Sequence, residues 1–352
     1  MNLDDVSFIK QNDHQDMLGQ IDSLPEQLAS AWTLGLSLPL TEQTEPKQIV
    51  IAGMGGSAIG ADLLAAYALP SCPVPIFVHR DYGLPAFATG AETLVILSSH
   101  SGNTEETLDA FEAALRRQCS ILAICTGGEL KRRAEEAALP VWVFEHPGQP
   151  RAAVGFSFGL LLACFARLAL IPNPEKDLRD ALAAMRSQQE RLQVDVPVSQ
   201  NPAKRLAGQL AGRWVNVYAA GLLAPLARRW KDQINELAKA GAGFEFLPEA
   251  DHNALAGLEN PEILMQTLTL FLQSSFDHPR NRLRVDLTRQ RFLQAGLNTD
   301  VYTAQGNSPL AHIWTTLHFG DYLAYYLAAI YGVDPTPVRA LEEFKQDLKA
   351  QE

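Results

Sequence analysis

The sequence predicts an α/β protein of parallel sheets flanked by helices, on three observations. Short apolar runs of strand length alternate with helical patterns along most of the chain. Two runs lead straight into turns that open helices, GMGGSAIG (residues 53–60) and SSHSGNTEET (98–107). The alternation appears in two halves of similar length, although no repeat is legible in the letters.

The elements follow in order. Residues 4–38 carry helical periodicity with polar breaks. QIVIA (48–52) reads as the first strand, with a helix expected over 58–69 and a Pro-bounded strand VPIFVH over 74–79. TLVILS (93–98) is the third strand, and Leu108, Phe111 and Leu115 mark one face of the helix that follows. SILAICT (120–126) ends at Gly127 and Gly128, and a fifth strand is expected over 141–144. The apolar stretch 154–171 contains Arg167 and falls short of the ~20 uncharged residues of a membrane span. It reads as a buried helix. Pro172, Pro174 and the charged run through Gln193 read as a partly helical crossover. The second half offers strands at 214–219, 243–247, 268–272 and 299–304. Helices are expected over 222–240 and 279–296, with a long amphipathic helix over 310–331 and a last one over 338–349.

The bulk numbers bound the function. A chain of 352 residues, 47% hydrophobic, can bury a large core. A net charge of −11 gives no field to attract nucleic acid or an anionic membrane. The same charge repels a phosphorylated ligand at long range, so a phosphate site must be made of local donors. Cys72, Cys119, Cys125 and Cys164 show no CxxC pair and no metal-type spacing with histidine. They read as reduced thiols of a cytoplasmic protein. The N-terminus has neither the basic nor the apolar region of a signal peptide.

The first turn has two readings. Glycines let the backbone approach an anion, and free N–H groups at a helix start favour negative charge. Gly53, Gly55 and Ala58 also satisfy the loose dinucleotide fingerprint, and on that motif alone the two readings are balanced. Two features count against a dinucleotide. Ser57 adds a hydroxyl that such a turn does not need, and the second strand ends in His79–Arg80–Asp81, a late acid beside a basic residue. The second turn tips the balance. Ser99, Ser101 and Thr104 place three hydroxyls within six residues after the third strand, with Asn103 or Thr104 available to cap the next helix. Ligands of open α/β sheets bind at that edge. Donors from Gly56 and Ser57, with the three hydroxyls, would wrap one phosphate.

These two turns resemble the sugar isomerase (SIS) domain. The wider pattern resembles the bifunctional phosphoglucose/phosphomannose isomerases of archaea and some bacteria, which hold two SIS domains. It is carried further by PGQPRAAVG (147–155), QINELAK (233–239), PEADHNALAGL (248–258) and DPTPVRALEEFK (334–345). The chain departs from that pattern at His100, at Ala254 and at Phe344 before Lys345. The resemblance implies an N-terminal helical segment 1–46, a first SIS domain 47–172, a crossover 173–195 and a second SIS domain 196–352. It implies interconversion of glucose 6-phosphate and mannose 6-phosphate with fructose 6-phosphate, without metal or organic cofactor.

That reaction needs an acid and a base for ring opening, a base to move a proton between C2 and C1, and a cation for the enediolate. The resemblance assigns the proton transfer to Glu236, ring opening to His252 and Lys345, and charge stabilisation to Arg151, with Thr336 near C2. By residue type alone, Glu236 and Lys345 would be solvated helical residues. His252 stands in a turn, where function concentrates, and histidine suits proton exchange near neutral pH. The resemblance also implies a homodimer in which His252 serves the neighbouring chain. The competing readings are an isomerase of another sugar phosphate, a sugar-phosphate sensor and a dinucleotide-dependent oxidoreductase. A DNA-binding arm is not expected, because Lys10 and Lys47 are the only lysines near an acidic N-terminus.

Overall fold

The computed structural model describes residues 2–40 and 45–351. Met1, residues 41–44 and Glu352 of the expected terminal segments lie outside them. The N-terminal segment forms α1 (Val6–Lys10), α2 (Met17–Asp22) and α3 (Leu24–Ser37). The first sheet region runs β1 (Gln48–Ala52), α4 (Gly55–Ala68), β2 (Ile76–His79), β3 (Thr93–Ser99), α5 (Glu105–Arg116), β4 (Ser120–Cys125), α6 (Gly128–Glu136), β5 (Val141–Val143) and α7 (Val154–Arg167). Then come α8 (Glu175–Gln189), α9 (Pro202–Leu210), β6 (Trp214–Ala220), α10 (Ala224–Glu236) and β7 (Ala242–Leu247). The chain closes with β8 (Thr267–Gln273), α11 (Pro279–Gln294), β9 (Asn298–Thr303), α12 (Pro309–Tyr331) and α13 (Arg339–Lys349).

Both sheets are parallel. The first has the order β2-β1-β3-β4-β5 and the second β7-β6-β8-β9. β1 pairs with β2 on one side and β3 on the other, with Ile51 opposite Ile96 and Ala52 opposite Leu97. The connections from β1 and β3 therefore leave in opposite directions, which opens a crevice at the carboxyl ends of these two strands. Side chains alternate between the sheet's faces. Ile49 and Ile51 join the main core with α4 and α7, whereas Val50 and Ala52 join Phe111 and Ala114 of α5.

Two of the expected helices of the second half, α12 and α10, differ from expectation. α12 is not amphipathic: every residue from Leu310 to Ile330 is buried. It runs through the molecule, contacting α8, α9 and α10. Several of its polar groups are paired inside: Thr315 and Thr316 bond back to the carbonyls four residues earlier, and His318 Nε2 meets the Ile21 carbonyl at 3.0 Å. α10 stops at Glu236, short of the expected 240, because Lys239 takes a left-handed φ of 55° and Asn235 donates to the Ala240 carbonyl at 2.7 Å. Among the described residues, no helix is long and apolar enough to cross a membrane.

Candidate active site

The glycine turn is already helix. α4 begins at Gly55, three residues before the sequence pattern indicates, and no side chain caps it. Its first turn therefore lies at the carboxyl edge of β1, where the Ser57 N–H bonds back to the Met54 carbonyl at 3.1 Å. Gly55 has a φ of 51° and open space around its α-carbon. Gly56 has another reason to be glycine. A Cβ there would stand 2.7 Å from the Pro150 carbonyl oxygen and 3.2 Å from the Arg151 Cα. Its missing side chain seats the segment that carries Arg151 against the glycine turn.

The hydroxyl turn ends the adjacent strand, β3. Thr104 occupies the cap position of α5, yet no side chain caps that helix either. The Thr104 hydroxyl instead meets Ser99 Oγ at 2.9 Å, and Ser99 Oγ accepts the Gly102 N–H at 3.1 Å. Ser101 is exposed and accepts the Asn103 N–H at 3.1 Å. Asn103 serves the next helix, accepting the Glu129 N–H at 2.9 Å. Two uncapped helix starts and a set of hydroxyls thus lie at the ends of neighbouring strands, the arrangement that favours an anion. His100 turns away from this set. It meets His146 Nδ1 at 3.2 Å and lies edge-on to Phe144. Burial first, then the neighbouring His146, lower it to about 4, so it is neutral at pH 7.

Arg151 links the two sheet regions. It follows Pro150 in a 3-10 turn at the mouth of α7 and is 6% exposed. Its Nη1 faces Glu236 Oε2 at 3.4 Å. Nη2 donates to the Pro335 carbonyl at 2.9 Å and to the Thr336 carbonyl. Burial lowers the Arg151 pKa, while the Glu236 charge opposes that shift. Glu236 is the last residue of α10, with 29% of its side chain exposed. The buried Thr336 hydroxyl and Arg151 Nε have no hydrogen-bond partner among the described residues.

Three residues that the sequence reading did not single out hold this cluster. Arg229 lies two turns before Glu236 on α10. It donates to the Arg151 carbonyl at 2.8 Å and makes a two-pronged pair with Asp321 at 2.7 and 3.2 Å. Both side chains are almost fully buried, so loss of either partner would strand a charge. An aspartate inside the otherwise apolar α12 was the available signal. Lys239 donates to the Glu236 carbonyl and, at 3.4 Å, to the Pro335 carbonyl that Arg151 also uses. Partial burial, then the Arg151 charge, push its pKa down to about 8. A cleft of about 680 Å³ opens alongside, lined by Asn235, Lys239, Asp334 and Arg339.

His252 and Lys345 are not brought to Glu236. His252 ends a 3-10 turn (Glu249–His252), is exposed, and has no hydrogen-bond partner among the described residues. Lys345 is exposed on α13, a helix that leaves Leu341, Phe344 and Leu348 each about half exposed.

The same architecture and sequence occur elsewhere. A family model described as the bacterial phospho-glucose isomerase C-terminal SIS domain matches residues 199–348. A bifunctional phosphoglucose/phosphomannose isomerase of Caldicellulosiruptor bescii is 38% identical over 337 residues, covering 94% of this chain and 98% of that protein. One from Aquifex aeolicus is 36% identical over 307 residues, 87% of this chain and 92% of that one. The crystal structure of a glucose-6-phosphate isomerase like protein from Thermus thermophilus shares the fold, with a TM-score of 0.66 at 20% identity over 96% of this chain and 98% of that one. With 38% identity across 94% of its length and two parallel sheets flanked by helices, the chain belongs to the bifunctional phosphoglucose/phosphomannose isomerase family.

Proposed function

We propose that the chain interconverts glucose 6-phosphate and mannose 6-phosphate with fructose 6-phosphate through an enediolate. One observation carries the reading. The phosphate turn at Gly56 touches the Arg151 segment, and Arg151 touches Glu236, so the anion site, a fixed cation and a carboxylate form one continuous chain of contacts. In this reading the Gly56 N–H and the hydroxyls of Ser57, Ser99, Ser101 and Thr104 hold the phosphate. Glu236 takes the C2 proton and returns it at C1. Arg151 faces the negative charge that develops on the two oxygens, where a buried cation does the most. Thr336 stands near C2. Glucose and mannose 6-phosphates differ only at C2 and give the same enediolate, so one base serves both.

His252 and Lys345 are our ring-opening groups, one withdrawing the proton of the anomeric hydroxyl and the other giving a proton to the ring oxygen as its bond to C1 breaks. Both are exposed in the single chain. We therefore read the working unit as a cytoplasmic homodimer in which a neighbouring copy covers them and His252 serves the neighbour's site. Residues 47–172 and 196–352 are the two SIS domains in this reading, 1–46 the N-terminal segment and 173–195 the crossover. The route calls for no metal or organic cofactor.

A coupled assay supplied with fructose 6-phosphate, reading glucose 6-phosphate and mannose 6-phosphate separately, tests the reading. Both products are expected. Absence of both would sink it, and loss of turnover in EDTA restored by Zn²⁺ would indicate a different chemistry. Tight binding of a nicotinamide or flavin nucleotide would favour the oxidoreductase instead.

A further inference from the structure

The turn that carries His252 is fastened on one side and free on the other. Ala250, two residues before the histidine, is 1% exposed and belongs to the apolar cluster of Leu247, Phe271 and Val285. Asp251, directly before it, has a side chain only 9% exposed. One of its oxygens accepts Thr288 Oγ1 at 2.7 Å and the other accepts Arg284 Nη1 at 2.8 Å, both from α11. Arg284 and Thr288 are four residues apart, so their side chains rise from one face of that helix. The turn is closed beneath by the Asp251 N–H on the Pro248 carbonyl at 3.1 Å and by Asn253 Nδ2 on Glu249 Oε1 at 3.2 Å. Only the His252 ring is left ungripped.

A residue kept for stability alone would itself be engaged. Here the backbone on both sides of the histidine is pinned, and its ring is presented bare. We propose that Asp251, held by Thr288 and Arg284, is a positioning residue that fixes the placement of His252 for proton exchange with the sugar. The proposal rests on the ring-opening role given to His252. Its physical basis is that a two-point clamp to a 16-residue helix removes the rotational freedom of a short turn, and placement errors of about 1 Å cost up to ~100-fold in rate.

Kinetics of the full-length chain test this, with Asp251→Ala and His252→Ala studied singly and together, and melting temperature measured for each. Asp251→Ala is expected to lower kcat by about tenfold or more with KM for fructose 6-phosphate little changed. In the His252→Ala background the same substitution should do nothing further, because the histidine it places is gone. Thr288→Val should reproduce part of the loss, and Thr288→Ser, which keeps the hydroxyl, should restore it. If Asp251→Ala lowers kcat by the same factor with and without His252, the clamp is structural and the proposal is overturned. If His252→Ala slows the enzyme but Asp251→Ala does not, the proposal fails while the ring-opening reading stands. If His252→Ala keeps full turnover, the ring-opening reading fails and the proposal falls with it.

Discussion

The proposed phosphate site and the proposed acid–base set occupy different parts of the fold and are assembled by different forces. The donors we propose for phosphate follow two adjacent strands of one sheet. The β1–β3 register fixes where each strand ends, and the following helices start there. Hydrogen-bonded neighbours about 5 Å apart bring such turns together without help from distant segments. The acid–base set has no such guide. Glu236 reaches Arg151 across 85 residues, held by the buried Arg229–Asp321 pair. His252 and Lys345 stay in solvent. A site drawn from neighbouring strands is built by secondary structure, whereas one drawn from separate elements depends on tertiary packing and, in our reading, on a second chain.

Substitutions on either side test this contrast. The largest effect is expected at the acid–base set. Glu236→Gln should lower kcat by about a thousandfold while phosphosugar binding stays near normal; substantial residual turnover would remove the base assignment. Analytical ultracentrifugation of the same protein should show a dimer.

The scaffold that both parts share should be sensitive to acid. His318 is fully buried in α12, and burial lowers it to about 4. In the unfolded chain it titrates near 6.5. Below that pH the unfolded state binds a proton that the folded state refuses. Stability should therefore be complete above about pH 6.5 and fall by about 3 kcal/mol as the pH drops toward 4. Denaturant midpoints across that range measure it; His318→Gln should remove this histidine's share of the dependence and leave that of His100, which acts in the same direction.

On the phosphate side, Ser57→Ala and Thr104→Ala should each weaken substrate binding by about 1.5–3 kcal/mol, the range for hydrogen bonds to a charged group. The change should appear in KM with kcat less affected. If neither shifts KM, the phosphate is held elsewhere. Gly56→Ala probes the seam between the two parts. Its methyl would press on Pro150 and Arg151, so destabilisation of about 1–3 kcal/mol is expected, with kcat falling as Arg151 shifts.

Local pattern explains what was readable. The strand–turn–helix order and the hydroxyl cluster reflect periodicity and turn chemistry within ten residues, and the structure follows them closely. The ends of elements were less legible. α4 starts early because glycines obscure a helix start, and α10 ends early because Lys239 takes a left-handed turn. α12 was misread as amphipathic because its threonines and histidines look solvent-facing until their internal partners are known.

By itself the sequence determined that parallel sheets would form and that helix starts and a hydroxyl cluster would lie at their carboxyl edge, since alternation and helix starts are encoded by neighbours in the chain. Its resemblance to a family pointed to the residues we propose to react but gave no physical account of their meeting. Only the tertiary structure decided that Gly56 is small to admit Arg151, that Arg229 and Asp321 hold Arg151 beside Glu236, and that Asp251 fastens the turn of His252. Those are contacts between segments tens to hundreds of residues apart. No local propensity specifies them; burial and the pairing of buried charge do.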